Sequence, residues 1–125
     1  MTAHDDLLAL LRSSVETVYD QDVYSTPEYP YVLVTGGLPA FPDRSLSRSP
    51  HGRRVSWLLT PAGQSRQSVS IVSNRVIDLL EGARISGQRL EYEPTGVDIE
   101  EEENLTVNSL PVFFSKLTFS MSLPI

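Results

Sequence analysis

The residues able to do chemistry in this chain are few, and their spacing works against it. His4 and His51 are the two histidines, and neither has a second histidine or a carboxylate at the spacing of a metal site. His51 follows Ser45, Ser47 and Ser49, which raises an imidazole-activated hydroxyl as a candidate. Such a nucleophile needs a third, acidic group to orient the base, and no sequence motif identifies one. The signatures G-x-S-x-G, G-x-x-x-x-G-K-[ST] and G-x-G-x-x-G are absent, and Gly36-Gly37 alone does not make a phosphate cradle. The chain has no cysteine, which excludes thiolate metal sites, cysteine catalysis and a disulfide framework. No catalytic residue, metal ligand or cofactor-binding residue is predicted, and the chain does not read as an enzyme.

Two concentrations of charge remain. Glu100, Glu101, Glu102 and Glu103 form a solid acidic block, but a calcium loop spaces its carboxylates, and contiguous acids on a strand or turn point in different directions. The block reads as a solvated acidic turn or as an electrostatic docking rim, which in the ring implied by the resemblance below would lie at a subunit interface. The opposite sign gathers at Arg44, Arg48, Arg53 and Arg54. Arginine outnumbers lysine nine to one, a bias that reflects either chosen guanidinium contacts or the codon usage of the source. A net charge of −6 argues against general wrapping of nucleic acid, because affinity for phosphates comes from basic side chains. The arginine cluster is therefore the candidate for a surface facing DNA or a partner; the plainer reading is a set of exposed arginines with no partner.

These residues must be positioned by a core, and one unit organises it. Residues 54–60 predict an apolar strand, Pro61-Ala62-Gly63 a tight turn, and residues 64–81 a helix. Val69, Val72, Val76, Leu79, Leu80 and Ala83 recur at three- and four-residue spacing along its inner side. Ser65 and Ser68 are candidate N-caps, and Gly82 is a left-handed stop. Ile71 lies almost opposite the apolar stripe, either as an ordinary isolated exposed aliphatic or, if the ring that the resemblance given below implies is formed, as a candidate for its subunit interface.

Before this unit, residues 5–19 predict a helix with Leu7, Leu8, Leu11, Val15 and Val18 on one stripe and Asp5 and Asp6 at the positive end of its dipole. Asp20-Gln21-Asp22 breaks it, Val23-Tyr24 forms a brief strand, and Pro27 and Pro30 hold their neighbours extended. Residues 31–35 are a β-rich strand ended by Gly36-Gly37. Residues 38–52, with Pro39, Pro42 and Pro50, show no periodicity and predict a long mobile loop, a feature that in a compact domain is usually functional or disordered.

After the helix, the chain returns through residues 85–87 to a strand at 89–93. Pro94-Thr95-Gly96 closes it, and residues 97–99 continue it beyond. Residues 111–123 read as one strand, with Leu117, Phe119, Met121 and Leu123 alternating with Lys116, Thr118, Ser120 and Ser122. The expected architecture is a single α+β domain over residues 1–125: a mostly antiparallel sheet of four to five strands with two helices on one face. No apolar run approaches the roughly 20 residues that span a bilayer, and the N-terminus lacks the regions of a signal peptide.

One group of proteins shares this pattern. Its parts are a short N-terminal helix ending in Val18-Tyr19-Asp20, the strand Tyr29-Pro30-Tyr31-Val32-Leu33-Val34, a long loop, an apolar strand and the amphipathic helix from Val69 to Leu80. Leu80-Glu81-Gly82, Gly87-Gln88-Arg89-Leu90, an acidic turn and Pro111-Val112-Phe113-Phe114 follow. The chain resembles the tail terminator, or tail completion, proteins that join tail to head in long-tailed bacteriophages. The likeness is one of size, element order and apolar spacing over nearly the whole length. It implies a structural virion protein without catalytic residues or cofactor, made in the host cytoplasm. Its subunits would form a ring, typically a homohexamer, through heterologous contacts. The ring would cap the major tail tube protein, stop polymerisation and dock the head-tail connector, with DNA passing through its lumen without sequence-specific binding. The alternatives are a head-side connector or stopper protein of the neck and, from another class, a small monomeric enzyme or ligand-binding domain.

Overall fold

A computed structural model describes residues 3–23, 27–40, 54–85, 87–93, 99–107 and 109–122. In chain order the elements are α1 (Ala3–Arg12), β1 (Val18–Asp20), β2 (Tyr31–Ala40), β3 (Arg54–Gly63) and α2 (Arg66–Leu80). There follow β4 (Arg84–Ile85), β5 (Gln88–Arg89), β6 (Glu91–Glu93), β7 (Glu100–Val107), β8 (Leu110–Phe114) and β9 (Leu117–Ser122). The α+β class holds. The sheet is larger than four to five strands and is mixed: seven strands join it, with β1 parallel to β2 and the other pairs antiparallel. β4 and β5 form a separate two-stranded ladder.

β3 is the spine. On one side β2 pairs along it, from Tyr31 with Ala62 to Ala40 with Arg54. On the other side β9 pairs with residues 54–59 and β8 with Ala62 and Gly63. The change of partner falls at Pro61, so this proline does not open a turn as the sequence predicts but sits inside a ten-residue strand. A strand residue directs its N–H and C=O to the same side, and the Pro61 carbonyl accepts from Ser115 N at 3.0 Å. Its missing donor therefore faces the gap between β8 and β9, where a broken ladder tolerates proline.

Both helices contribute to one core. Leu7, Leu8 and Leu11 of α1 and Val72, Val76 and Leu80 of α2 share a buried cluster with Val32, Val34, Val55, Trp57, Leu59, Leu117, Phe119 and Met121. Those strand residues alternate in sequence, so they lie on one face of the sheet. Ser65 caps α2, its hydroxyl accepting from Ser68 N at 3.1 Å, and Gly82, at φ +77, turns the chain after Glu81.

Other expectations are corrected. The first helix ends at Arg12 rather than near residue 19, and residues 18–20 form β1. The apolar stripe still reaches the core at Val15, but Ser13 and Ser14 compete with helical bonds and Val18-Tyr19 favour extended backbone. Val23 is not in a strand. Gly36 and Gly37 do not end β2. At φ +94 and +89 they make a bulge that shifts the register before Pro39. The strand thus runs to Ala40, into the segment expected to be loop.

The acidic block opens an eight-residue strand, β7, rather than a turn. The final expected strand is two, broken at Ser115-Lys116. Ser120, expected on a wet face, is buried, because β9 lies between β3 and β6 and its position 120 is flanked by Ser56 and Glu91. The turn at 94–96, residues 97–98, Tyr24 and Leu123 lie outside the described residues, as do residues 41–52 of the expected loop.

Candidate functional site

Among the described residues, the constellation that looks chemical lies where sequence reading did not place it. His4 of α1 meets Asp20 of β1 and Trp57 of β3: His4 Nε2 is 2.7 Å from Asp20 Oδ1, and Trp57 Nε1 donates to His4 Nδ1 at 3.1 Å. An indole nitrogen only donates, so Nδ1 is the acceptor and the ring proton sits on Nε2, directed at Asp20. Both ring nitrogens are thus engaged by partners from other elements, and the chain Trp57–His4–Asp20 ties α1 to β1 and β3. Among the described residues no group of three or more His, Cys, Asp or Glu side chains is placed to hold a metal ion, and no helix is long and apolar enough to cross a membrane.

The remaining candidates are surfaces. Opposite the helices, the sheet presents a face that is open among the described residues. Tyr31 and Leu33 of β2, Leu58 and Thr60 of β3 and Phe114 of β8 are all half-buried there. Tyr31 is the centre of an aromatic group, with Tyr19 edge-on at 5.3 Å and Tyr29 tilted at 5.4 Å between ring centroids. Burial raises the Tyr31 hydroxyl above its ordinary range, and Tyr29, Tyr19 and Glu102 push in the same direction. Tyr29 is raised too, by burial and then by Tyr19. Beside Tyr31 a depression of about 630 Å³ is lined by Val112, Phe114, Leu105, Glu102 and Lys116. The Lys116 ammonium lies 5.9 Å from the Phe114 ring centroid, the arrangement of a cation over an aromatic face. The signal for this face was present in the run Tyr31-Val32-Leu33-Val34, which is apolar on both sides of a strand.

The helix side carries the second surface. Ile71 is 50% exposed, outward on α2 as its offset from the stripe requires. It borders a depression of about 560 Å³ with Asn74, Arg75, Asp78 and Ser14.

The predicted interface residues Glu100, Glu101 and Glu102 are exposed on β7, which forms one edge of the sheet. Glu103 lies in the same strand. Glu100 pairs with Phe114 and Glu101 with Phe113, so their side chains leave on opposite faces and do not converge. Charges along an edge strand also discourage unwanted pairing there. β7 is tied to the start of α2: Gln64 Nε2 donates to Val107 O at 2.7 Å, and Arg66 Nη1 donates to Ile99 O at 3.0 Å. The Arg66 guanidinium also lies 5.2 Å from the Phe113 ring centroid.

Of the predicted arginines, Arg54 begins β3, paired with Ala40 and Ser122; Arg44, Arg48 and Arg53 lie outside the described residues. Arg54 and the Ala62 position beside Phe114 and Glu100 stand eight residues apart on β3, or roughly 26 Å at the rise of a strand. The structure thus does not bring the acidic block and Arg54 together within one chain.

No family model matches this sequence, and no curated protein matches it. Among solved structures, the fold aligns with a chain described as "Virion of native gene transfer agent (GTA) particle" at a TM-score of 0.56. The identity is 18%, over 97% of this chain and 90% of that one. At that identity the likeness shows a shared fold. A second solved chain aligns at a TM-score of 0.46 with 13% identity, over 94% of this chain and 97% of that one, too loosely to carry an argument.

Proposed function

We propose that this chain is a structural subunit of a phage-like virion, one that assembles with copies of itself into a ring, typically a hexamer, at the end of the tail tube. There it terminates tube polymerisation and offers the docking surface for the head connector. The observation that carries this reading is the near-complete alignment with a virion chain over 97% of this chain and 90% of that one. The surfaces agree with it. A ring subunit needs two dissimilar sides and a contact that repeats head to tail, and this chain has a helix-covered side with Ile71 and an open sheet face.

The lumen is assigned from charge. A duplex carries a phosphate charge about every 1.7 Å along its axis, so a passage for it must be lined by neutral or basic groups. In this acidic chain the basic concentration is Arg44, Arg48, Arg53 and Arg54, which we place at the lumen or on the tube-facing side.

The test is negative-stain imaging of particles assembled without this subunit. Overlong tubes are the expected result. DNA leaking from filled heads beside normal free tails would make it a stopper of the neck instead, and particles normal in both respects would reject the reading. For the lumen, changing Arg44 and Arg48 together to glutamate is expected to impair tail joining and DNA retention; unchanged infectivity would reject that assignment.

A further inference from the structure

We infer that the contact between neighbouring copies seats the α2 surface around Ile71 of one copy in the open sheet face of the next. The inference rests on the ring reading above and names the two surfaces that meet.

Three large hydrophobic side chains among the described residues stand out in water: Ile71 at 50%, Leu105 at 40% and Leu110 at 49% exposed. They divide between opposite sides of the molecule. Ile71 projects from the outward side of α2, whereas Leu105 lines the depression on the helix-free face of the sheet. Leu110 shares that face with Phe114 by strand alternation in β8. A two-fold contact made through either side would leave the apolar residues of the other in water. A head-to-tail contact covers both, and each added copy presents the same two sides again, as a ring requires.

Charge supports the same occupant. Next to Ile71, Arg75 and Asp78 stand one turn of helix apart, both exposed. Among the described residues neither makes an ion pair within its own chain. The depression on the sheet face carries one charge of each sign, Glu102 and Lys116, both exposed. The two surfaces pair in charge when Arg75 meets Glu102 and Asp78 meets Lys116, with Glu100, exposed opposite Phe114, adding to the acidic side that Arg75 faces. The apolar contact would be Ile71 against Leu105 and Phe114, with the charges beside it.

The test uses two full-length chains, Ile71→Glu and Leu105→Glu, each wounded on one side. Both positions are exposed, so circular dichroism and melting should match the unaltered chain. In sedimentation velocity each variant alone is expected to remain monomeric under conditions where the unaltered chain assembles. Their mixture is expected to form one-to-one dimers and nothing larger, because each variant keeps one working side. Absence of native cysteine allows a second measurement that does not depend on free assembly. The double variant Ile71→Cys with Leu105→Cys, oxidised free in solution and on assembled tails, should give a ladder of disulfide-linked oligomers, and each single variant none. A mixture of the glutamate variants that stays monomeric beside an assembling parent would overturn the inference. So would dimers from Ile71→Cys alone, or no ladder in either setting. A chain present in particles but giving no ladder refutes this contact and leaves the virion role standing; a ladder from a chain absent from particles does the reverse.

Discussion

Gly37 leaves the space through which Trp57 reaches His4. A Cβ added at Gly37 would lie 2.7 Å from Trp57 Nε1 and 2.9 Å from His4 Nδ1, at a backbone φ of +89. Gly37→Ala therefore has to displace the indole or break its hydrogen bond, and it also holds an L-residue in the left-handed region. The expected cost is about 1–3 kcal/mol. Trp57 is the single tryptophan, so its fluorescence reports both the local change and the denaturation midpoint. An unchanged midpoint and spectrum would show that the bulge does not constrain Trp57.

The hydrogen-bonded chain itself predicts an order of effects. His4→Leu strands the indole N–H of a buried tryptophan and should cost roughly 1–3 kcal/mol. Asp20→Ala should cost less, because the Asp20 side chain is 39% exposed and water replaces its partner. Urea denaturation of the two variants checks the ranking, and a larger loss from Asp20→Ala would contradict it.

In the core, Leu80 and Phe119 are fully buried in the cluster that joins both helices to the sheet. Leu80→Ala is expected to cost about 2–5 kcal/mol and Phe119→Ala about 3–5 kcal/mol. Thermal melts that match the parent would refute the shared core.

The cap on α2 is a smaller, separable contribution. Ser65→Ala removes the acceptor for Ser68 N and should cost about 1 kcal/mol, whereas Ser65→Gly should cost only a few tenths. Equal losses from both would mean that the hydroxyl does not cap the helix.

Alkaline pH tests the open face. The Tyr31 hydroxyl is raised above its ordinary 10.0, by burial first, so the folded state favours the neutral phenol. That contribution is complete below pH 10, the unfolded value, and is lost as pH rises through the folded one. Stability should fall above pH 10, and less steeply in Tyr31→Phe. Ultraviolet titration of the phenolates alongside denaturation at each pH checks this, and identical alkaline slopes would remove it.

What local periodicity can encode was legible in the chain. The stripe Val69, Val72, Val76, Leu80 describes a helix with one buried side wherever that helix docks, and Leu117, Phe119, Met121 describe the core-facing side of a strand by the same logic, though not the burial of Ser120 on its other side. Ile71 was identifiable as outward because its angular offset on a helix follows from numbering alone. The absence of cysteine and of nucleotide-binding motifs was likewise a property of composition.

What tertiary structure decided were the places where a local preference lost to a partner distant in sequence. Gly36-Gly37 and Pro61 read as chain stops, yet each lies within a strand. The bulge is held against β3, and the proline falls where β3 exchanges β9 for β8. The acidic block became a strand because β8 supplies a ladder and Arg66 and Gln64 anchor its ends. His4 and Asp20 lie 16 residues apart and Trp57 another 37 beyond Asp20; no spacing rule joins them, since it is the docking of α1 on β1 and β3 that places their polar atoms within hydrogen-bonding distance. The open sheet face arose in the same way: alternation shows that Tyr31, Leu33 and Phe114 share a parity with their own neighbours, but only the pairing of β2, β3 and β8 makes them one surface, and only the placement of both helices on the other side leaves it uncovered.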